Sequence, residues 1–396
     1  MSCSFKLSVL LMMGFIFFTG CKTTKLNIEG NLKYCTAKAT QTLSHIPQDT
    51  FNFPRSIPAG SDKWRYSDYR EWTCGFWPGI LWYAYQASGD SLFKIAADRS
   101  MVNLYPLAYS KPYSHDLGFK MYCSYGNGYR LTYNEQYKKL LIATADSLST
   151  LYNPKVGTIL SWPVEVSNYG AHNTIIDNMM NLELLFWAAK NGAGHNLYDI
   201  AVKHAITTMN NHFRKDYSCF HVVLYDTVSG KKIKGITHQG LNDSSMWARG
   251  QSWAIYGFTM CYRETGNPQF LDIAQKAADV YLKNLPESLI PNWDFNAPSN
   301  AQKDASAACV TASALIELSG YLANKEKAAV YLQKAEKMLA TLSTKKYQSR
   351  NKNSAFLIHS TGNKPSNSEI DAAIIYADYY YLEALLRLKN IKQSKN

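Results

Sequence analysis

The chain has 396 residues, of which 46% are hydrophobic and 13% aromatic, so it can fill a sizeable core and is not a disordered protein. Its formal net charge of +12 predicts an attraction to polyanions. Acidic polysaccharide is a better candidate than nucleic acid, because the sequence contains no helix-turn-helix, zinc-finger or RNA-binding signature. The alternative is that the many lysines simply form a solvated surface.

The first twenty residues have the pattern of an export signal. Lys6 is followed by the apolar run LSVLLMMGFIFF and then by TGC, which ends at Cys21. The run is too short for a comfortable membrane span, and the small residues before Cys21 resemble a bacterial lipobox. We expect a signal peptide at 1–20, lipid on Cys21, and an exported lipoprotein anchored in the outer membrane and facing the periplasm. An ordinary secretory signal with an incidental cysteine is the alternative.

After the signal, the sequence predicts a single large domain. Residues 21–50 are assigned to an anchor segment and lead-in, 51–390 to the main domain and 391–396 to a tail, since no shift in composition marks a second domain. The remaining cysteines form no C-x-x-C pair and lie in apolar segments, which favours buried thiols over disulfides or zinc. The histidines show no metal-ligand spacing either, so we expect no metal.

Helical hairpins recur along the chain at unequal spacing. Each consists of an apolar helix, a glycine-containing turn and a second amphipathic helix that returns antiparallel. The segments with this plan are 79–100, 182–205, 254–282 and 312–339. Such hairpins bury their apolar faces only against neighbours, so we expect a ring of hairpins with functional residues in the connecting loops. In one loop, FHVVLYD and GKKIKGI are candidate strands.

Two aspartates stand at the start of apolar helical stretches. Asp116 follows His115 in SHDLGF, and Asp177 lies beside an apolar stripe in NTIIDNMMN. Helix N-termini favour negative charge, so each aspartate could simply stabilise a helix end. As a pair, they have the pattern of the two carboxylates that glycosidic chemistry uses.

The stretch ITHQGLNDSSMWARGQSWAIYGF collects polar and aromatic residues in a short span. Asp243 or Ser244 is expected to cap the helix that follows, on which Arg249 and Trp253 share a face. An arginine can bind a carboxylate through two hydrogen bonds, and tryptophans stack on sugar rings. A structural ion pair and core tryptophans are the alternative for each residue taken alone.

The motifs HDLGF, IIDNMMN, THQGLNDSSMWARGQSWAIYGF and IIYADYYYLEALLRL together resemble those of the unsaturated glucuronyl hydrolases, glycoside hydrolase family 88. The resemblance runs from Glu71 to Leu388. It implies an all-α fold, a toroid of six helical hairpins or (α/α)6 barrel, with minor β structure in the insertions. The site would lie at one end of a catalytic domain at 51–390 and would need no cofactor.

The resemblance also implies roles for individual residues. Asp177 is expected to be the general acid/base and Asp116 the second essential carboxylate, while Arg249 and Gln239 would bind the uronate carboxylate or ring hydroxyls. The residues expected to shape the pocket are His115, His221, Trp72, Trp162, Trp247 and Trp253. The candidates for contacts to sulfate groups are Lys364, Ser366 and Ser368.

The implied substrate is an acidic disaccharide or oligosaccharide whose non-reducing end is a 4,5-unsaturated uronic acid left by a polysaccharide lyase. A carboxylic acid above that ring can protonate the alkene carbon and then help to deprotonate the water that adds at C5. Its pKa must lie well above about 3.9, which burial and a second carboxylate provide. A conventional glycosidase, a polysaccharide lyase on the same toroid and a non-catalytic glycan-binding lipoprotein are the alternatives.

Overall fold

The computed structural model describes residues 26–46 and 52–394. The expected signal peptide at 1–20 and the expected lipid attachment at Cys21 lie outside the described residues. Within these two ranges, no helix combines the length and the apolar character needed to cross a membrane.

Helices make up most of the described chain. In chain order the α-helices are α1 (Ile28–His45), α2 (Phe76–Ser88), α3 (Ser91–Met101), α4 (Asn127–Thr132), α5 (Glu135–Ser149), α6 (Val166–Tyr169), α7 (Leu182–Lys190), α8 (Asn196–His212), α9 (Ala248–Thr265), α10 (Pro268–Asn284), α11 (Ala305–Tyr321), α12 (Lys325–Leu342) and α13 (Ile375–Gln393). A π-helical segment, Gly118–Gly126, continues into α4. Short 3-10 turns lie at Val102–Ala108, Pro163–Glu165 and Ile176–Asn181.

Short strands form small antiparallel sheets between the helices. The strands are β1 (Phe53–Ile57), β2 (Arg65–Ser67), β3 (Tyr152–Asn153), β4 (Thr158–Ile159), β5 (His172–Ile175), β6 (Val222–Tyr225), β7 (Lys232–Ile236) and β8 (Ala373–Ile374). In the described chain the strand orders are β2-β1-β8, β3-β4 and β5-β6-β7. The two strands predicted from FHVVLYD and GKKIKGI are confirmed as β6 and β7, which pair antiparallel.

The helices form two concentric layers. The inner ring consists of α2, the segment 118–132, α7, α9, α11 and α13, and it closes because α13 packs against α2. Helices α3, α5, α8, α10 and α12 each pack outside the inner helix that precedes them, and α1 packs outside α2 and α13. The described chain therefore confirms the expected all-α toroid of six hairpins, the (α/α)6 barrel, with minor β structure.

The sixth hairpin joins the two ends of the chain. The sequence assigns residues 21–50 to a lead-in, whereas α1 within that range is an outer helix of the toroid. Asn31 of α1 accepts hydrogen bonds from Tyr381 of α13 at 3.1 Å and from Gln348 at 2.8 Å. Helix α1 therefore packs on the toroid although it lies in the range assigned to the lead-in, and α13 ends at Gln393.

Glycine followed by Asp or Asn turns the chain between paired helices. Gly89 ends α2 with φ 73°, and Asp90 accepts a hydrogen bond from the first turn of α3 at 2.9 Å. Gly266, with φ 68°, and Asn267 do the same between α9 and α10. Glycine adopts positive φ without strain, and Asp or Asn side chains satisfy the unpaired N–H groups of a helix start. Two residues are therefore enough to connect one helix to the next.

The expected cap of α9 is wrong. The helix begins at Ala248, directly after Trp247, and no side chain caps it. Asp243 instead accepts a hydrogen bond from the backbone N–H of Thr237 at 2.8 Å, and Ser244 donates to a neighbouring side chain at 2.7 Å. Both candidate caps are therefore used within the loop that precedes the helix.

The cysteines of the described chain are free thiols, as the sequence predicts. They are Cys35, Cys74, Cys123, Cys219, Cys261 and Cys309, and all are buried except the half-buried Cys123. Across residues 26–46 and 52–394, His, Cys, Asp and Glu side chains form no group that could hold a metal ion.

Gly257 of α9 is closely packed against the neighbouring inner segment. A Cβ at this position would lie 2.5 Å from the Cβ of Met179. We expect Gly257→Ala to lower the free energy of unfolding by about 1–3 kcal/mol, because overpacking forces neighbours apart. Gly320 of α11 is the matched control: its Cβ would meet nothing within 4 Å, so Gly320→Ala should stabilise by about 0.5 kcal/mol. Chemical denaturation checks both changes, and equal stability of the two variants would contradict the packing argument.

Candidate active site

A cavity of about 290 Å³ lies where the inner segments begin, at one end of the toroid. Its lining residues are Trp72, Asp116, Trp162, Val164, Glu165, Ile175, Asp177, His238, Gln239 and Arg249. Six of the ten residues selected from the sequence are among them, including both aspartates. A larger groove of about 1020 Å³ lies between α1 and the end of α12, but its described lining contains no carboxylate and no histidine.

Asp116 is hydrogen-bonded to one neighbour on its own loop and lies beside another. Its Oδ2 accepts a hydrogen bond from the Ser114 hydroxyl at 2.8 Å, and its Oδ1 lies 3.3 Å from Nε2 of His115. The Asn181 amide nitrogen lies 3.2 Å from Nδ1 of His115, and the Asn181 oxygen accepts the Phe119 N–H at 3.0 Å, which orients the amide. Nδ1 of His115 is therefore an acceptor, and the proton is on Nε2, which lies near Asp116 without a hydrogen-bond partner in the described chain.

Asp177 and His221 form a second pair of the same kind. Strand β5 leads into Asp177, and the carbonyl of His221, directly before the neighbouring strand β6, accepts the Ile176 N–H at 2.9 Å. Nδ1 of His221 accepts the backbone N–H groups of His238 and Gln239 at 3.2 and 3.1 Å. The His221 proton is therefore on Nε2, which lies 3.7 Å from Oδ1 of Asp177.

Both histidines are neutral at pH 7. Burial lowers the pKa of His115, although the adjacent Asp116 partly opposes this effect. Burial, with help from His238 and Arg249, lowers the pKa of His221 well below its ordinary value. A neutral imidazole adds no charge, so the two rings lie beside the carboxylates and do not act as cations.

Asp177 has the protonation behaviour of a general acid. Burial raises its pKa from the ordinary 3.8 to about 7. Arg249 opposes this rise, and Asp116 adds to it. The pKa therefore lies near neutral pH, which is the range in which a general acid is effective.

A raised pKa alone does not identify the acid. Burial also raises the pKa of Asp378 on α13 to about 8. Asp378 accepts the backbone N–H groups of Phe356 and Leu357 at 2.8 and 3.0 Å and does not line the cavity. It ties α13 to a neighbouring loop. Of these two aspartates, only Asp177 combines a raised pKa with access to a ligand.

Arg249 is buried in the first turn of α9, and most of its N–H groups donate to other residues of the protein. Nη1 donates to Oδ2 of Asp304 and to the Thr361 carbonyl, both at 2.6 Å, and Nη2 donates to the Gly362 carbonyl at 2.5 Å. The guanidinium also lies 4.7 Å from the Trp247 ring. Nε–H and the second Nη2–H have no acceptor among the described residues. These two donors are what Arg249 offers to an anion in the cavity.

The selected tryptophans lie at different depths. Trp72 and Trp162 line the cavity. Trp247 lies behind it, with its ring centroid 4.4 Å from that of His221. Trp253 is fully buried in the core. The last two tryptophans, like the two histidines beside the aspartates, support the cavity wall rather than form its surface.

The sequence missed four lining residues, which are Val164, Glu165, Ile175 and His238. Glu165 belongs to a 3-10 turn in the insertion SWPVEVSNYG, which has no periodic pattern. His238 immediately precedes Gln239 in the THQG motif, and this adjacency was the available signal. The missed residues therefore come mainly from loops, where local patterns carry little information about position.

The candidate sulfate contacts lie outside this lining. Lys364, Ser366 and Ser368 belong to a short hairpin that follows Gly362. The Gly362 carbonyl accepts a hydrogen bond from Nε2 of Gln239 at 3.2 Å. The hairpin is therefore tied to the cavity wall through its backbone, and none of its three candidate side chains reaches the cavity surface.

The sequence and fold have clear relatives. The model of Glycosyl Hydrolase Family 88 matches residues 53–390. A Formosa agariphila protein named unsaturated glucuronyl hydrolase is 44% identical over 89% of this chain and 88% of the relative. A Streptococcus pneumoniae protein named unsaturated chondroitin disaccharide hydrolase is 32% identical over 81% of this chain and 82% of the relative. The crystal structure of an unsaturated glucuronyl hydrolase specific for heparin has a TM-score of 0.87 and 42% identity, covering 92% of this chain and 98% of that one. This chain therefore belongs to glycosyl hydrolase family 88.

Proposed function

We propose that this protein removes the 4,5-unsaturated uronic acid from the non-reducing end of acidic oligosaccharides of the glycosaminoglycan type that polysaccharide lyases release. The observation that carries the proposal is Asp177, a carboxyl group with a pKa raised to about 7 that opens into a cavity shared with Asp116. Family membership and the names of the relatives support a hydrolase of this class.

The unsaturated sugar is an enol ether, which is activated by protonation of its alkene carbon. Protonated Asp177 would give its proton to C4, leaving positive charge shared between C5 and the ring oxygen. The carboxylate so formed would accept a proton from the water that adds at C5. The resulting hemiketal opens and releases the remaining saccharide, so no nucleophile attacks the anomeric carbon.

The other cavity residues have separate tasks in this reaction. Nε2–H of His221 lies 3.7 Å from Oδ1 of Asp177 and would donate to the carboxylate that Asp177 becomes once the two atoms close to hydrogen-bond distance. Asp116 would accept hydrogen bonds from ring hydroxyls, and its charge helps to keep Asp177 protonated. The two remaining donors of Arg249 would bind the uronate carboxylate. Trp72 would supply an apolar ring surface for the sugar.

Replacing Asp177 tests the acid directly. We expect Asp177→Asn to lower kcat by at least ~100-fold, because an amide cannot donate the proton, while binding of the disaccharide survives. Turnover is measured as loss of the ultraviolet absorbance of the conjugated alkene in lyase-generated disaccharides. Asp199→Asn is the control, because Asp199 is an exposed aspartate on the outer helix α8. Near-normal turnover by Asp177→Asn would refute the assignment.

The same assay separates the proposed reaction from the alternatives. Loss of absorbance with release of a saccharide supports the proposal. Release of a saturated sugar without an absorbance change would indicate a conventional glycosidase, and a rise in absorbance on polysaccharide would indicate a lyase. Binding without any product would indicate a glycan-binding protein.

The pH dependence of the reaction rate follows from the carboxyl group of Asp177. The acid must be protonated before substrate is converted, and the pKa of Asp177 is raised to about 7. We therefore expect kcat/KM to be retained below pH 7 and to fall about tenfold per pH unit well above it. A pH profile of the absorbance assay checks this expectation, and a rate that stays constant from about pH 6 to 9 would contradict it.

We also propose that the protein is an exported lipoprotein, anchored through lipid on Cys21 in the outer membrane and facing the periplasm. The support is the sequence itself: a basic residue, an apolar run and the TGC site precede the described chain. Helix α1 begins at Ile28, so few residues separate the proposed anchor from the toroid.

The start of α1 lies at the end of the toroid away from the cavity. There Glu29 of α1 forms an ion pair with Lys389 near the end of α13 at 3.0 Å. Helix α13 starts beside the cavity, where Tyr376 contacts Trp72 with ring centroids 4.9 Å apart, and its 19 residues span about 28 Å. A lipid on Cys21 would therefore leave the cavity facing away from the membrane and open to soluble fragments.

Replacing Cys21 tests the anchor. We expect wild-type protein to fractionate with membranes and Cys21→Ser to be recovered in the soluble fraction, because the variant lacks the sulfur that carries the lipid. Fractionation followed by immunoblotting checks this, with the absorbance assay confirming that the soluble variant is folded. An unchanged distribution between the two fractions would show that Cys21 is not the anchor.

A further inference from the structure

The cavity is acidic although the chain as a whole is basic. Three of its lining residues carry carboxyl groups, which are Asp116, Asp177 and Glu165, and one carries a guanidinium. That guanidinium, Arg249, is paired with Asp304 at 2.6 Å, so its charge is largely compensated. An arriving ligand therefore meets an excess of negative charge at the site, despite the formal charge of +12 for the whole chain.

Glu165 lies at the mouth of this cavity. Its neighbour Val164 is 69% exposed, whereas Asp177 and Arg249 are 9% and 1% exposed and lie at the bottom. Under the proposed function, on which this inference rests, the unsaturated sugar must reach Asp177 at the bottom. The rest of the bound saccharide must then extend out of the cavity through its mouth. The second sugar therefore passes close to Glu165.

The Glu165 carboxylate keeps its negative charge available to a ligand. Its Oε2 accepts a hydrogen bond from Nδ2 of Asn168 at 2.9 Å, and it forms no ion pair with a lysine or arginine in the part of the chain that the structure describes. His238, across the mouth, does not neutralise it, because burial lowers the pKa of His238 despite the opposing influence of Glu165. The charge is thus fixed at the mouth and uncompensated.

We propose that Glu165 is a specificity-determining residue that selects an uncharged second sugar and disfavours a sulfated one. In the proposed reaction the proton comes from Asp177, and Glu165 forms no hydrogen bond with Asp177 in the described chain. Two negative charges a few ångströms apart at a partly hydrated surface repel measurably, and a repulsive group of this kind is a common basis of specificity. The preferred substrates are therefore unsulfated unsaturated disaccharides.

The test compares two lyase-generated disaccharides that differ only by a sulfate on the second sugar. We expect wild-type protein to have the higher kcat/KM for the unsulfated one. Glu165→Gln should reduce this preference ~3–10-fold at low ionic strength, because the repulsion is removed. Added salt should weaken the preference of the wild type more than that of the variant. Glu165→Asp keeps the charge and should retain most of the preference.

Glu135→Gln is the matched control, since Glu135 starts the outer helix α5, does not line the cavity, and its replacement changes the net charge by the same amount. It should leave the preference unchanged. An unaltered preference in Glu165→Gln, or an equal change in Glu135→Gln, would overturn the inference while leaving the proposed function intact. Failure of the wild type to bleach any unsaturated disaccharide would instead overturn the proposed function and this inference with it.

Discussion

The buried ion pair between Arg249 and Asp304 is the contact on which the site depends. It joins the first turn of α9 to the start of α11, where Asp304 also accepts the N–H of Ser306 at 3.0 Å. A buried guanidinium without a partner costs several kcal/mol, so this pair allows a cation to lie beneath the cavity. It also affects the acid. Arg249 lowers the pKa of Asp177, but compensation by Asp304 weakens this effect, so burial dominates and the pKa is raised to about 7.

In each of the two aspartate–histidine pairs, the fold places a polar ring beside a carboxyl group without adding a positive charge. In both pairs the histidine receives a hydrogen bond on Nδ1, from the Asn181 side chain for His115 and from backbone N–H groups for His221. The remaining proton is therefore on Nε2, which lies 3.3 Å from Asp116 in the first pair and 3.7 Å from Asp177 in the second. Burial keeps both rings neutral. A protonated histidine at either position would stabilise the carboxylate and remove the acid that the proposed reaction needs, so the burial of these rings favours that reaction.

Local sequence patterns predicted those features of the molecule that depend on residues close to one another in the chain. Pairs such as Gly89 and Asp90 end one helix and start the next, so most hairpins could be read directly from the sequence. The sixth hairpin could not, because its contact between Asn31 and Tyr381 joins residues 350 positions apart. The site divides in the same way. Motifs identified the aspartates and the arginine, whereas Glu165 comes from an aperiodic turn whose position is set by the packing of the toroid.

The net charge and the local charge of the protein act over different distances. A formal charge of +12 attracts anionic fragments from solution, although salt screens this attraction beyond about 10 Å. The net charge does not determine which fragment the cavity accepts. Inside the cavity, burial and the carboxylate of Asp116 favour a protonated Asp177, whereas the positive charge of Arg249 opposes protonation. A positive cavity would bind a uronate more tightly and would ionise the acid. The proposed chemistry therefore calls for a basic exterior, an acidic cavity and a largely compensated arginine in the same molecule.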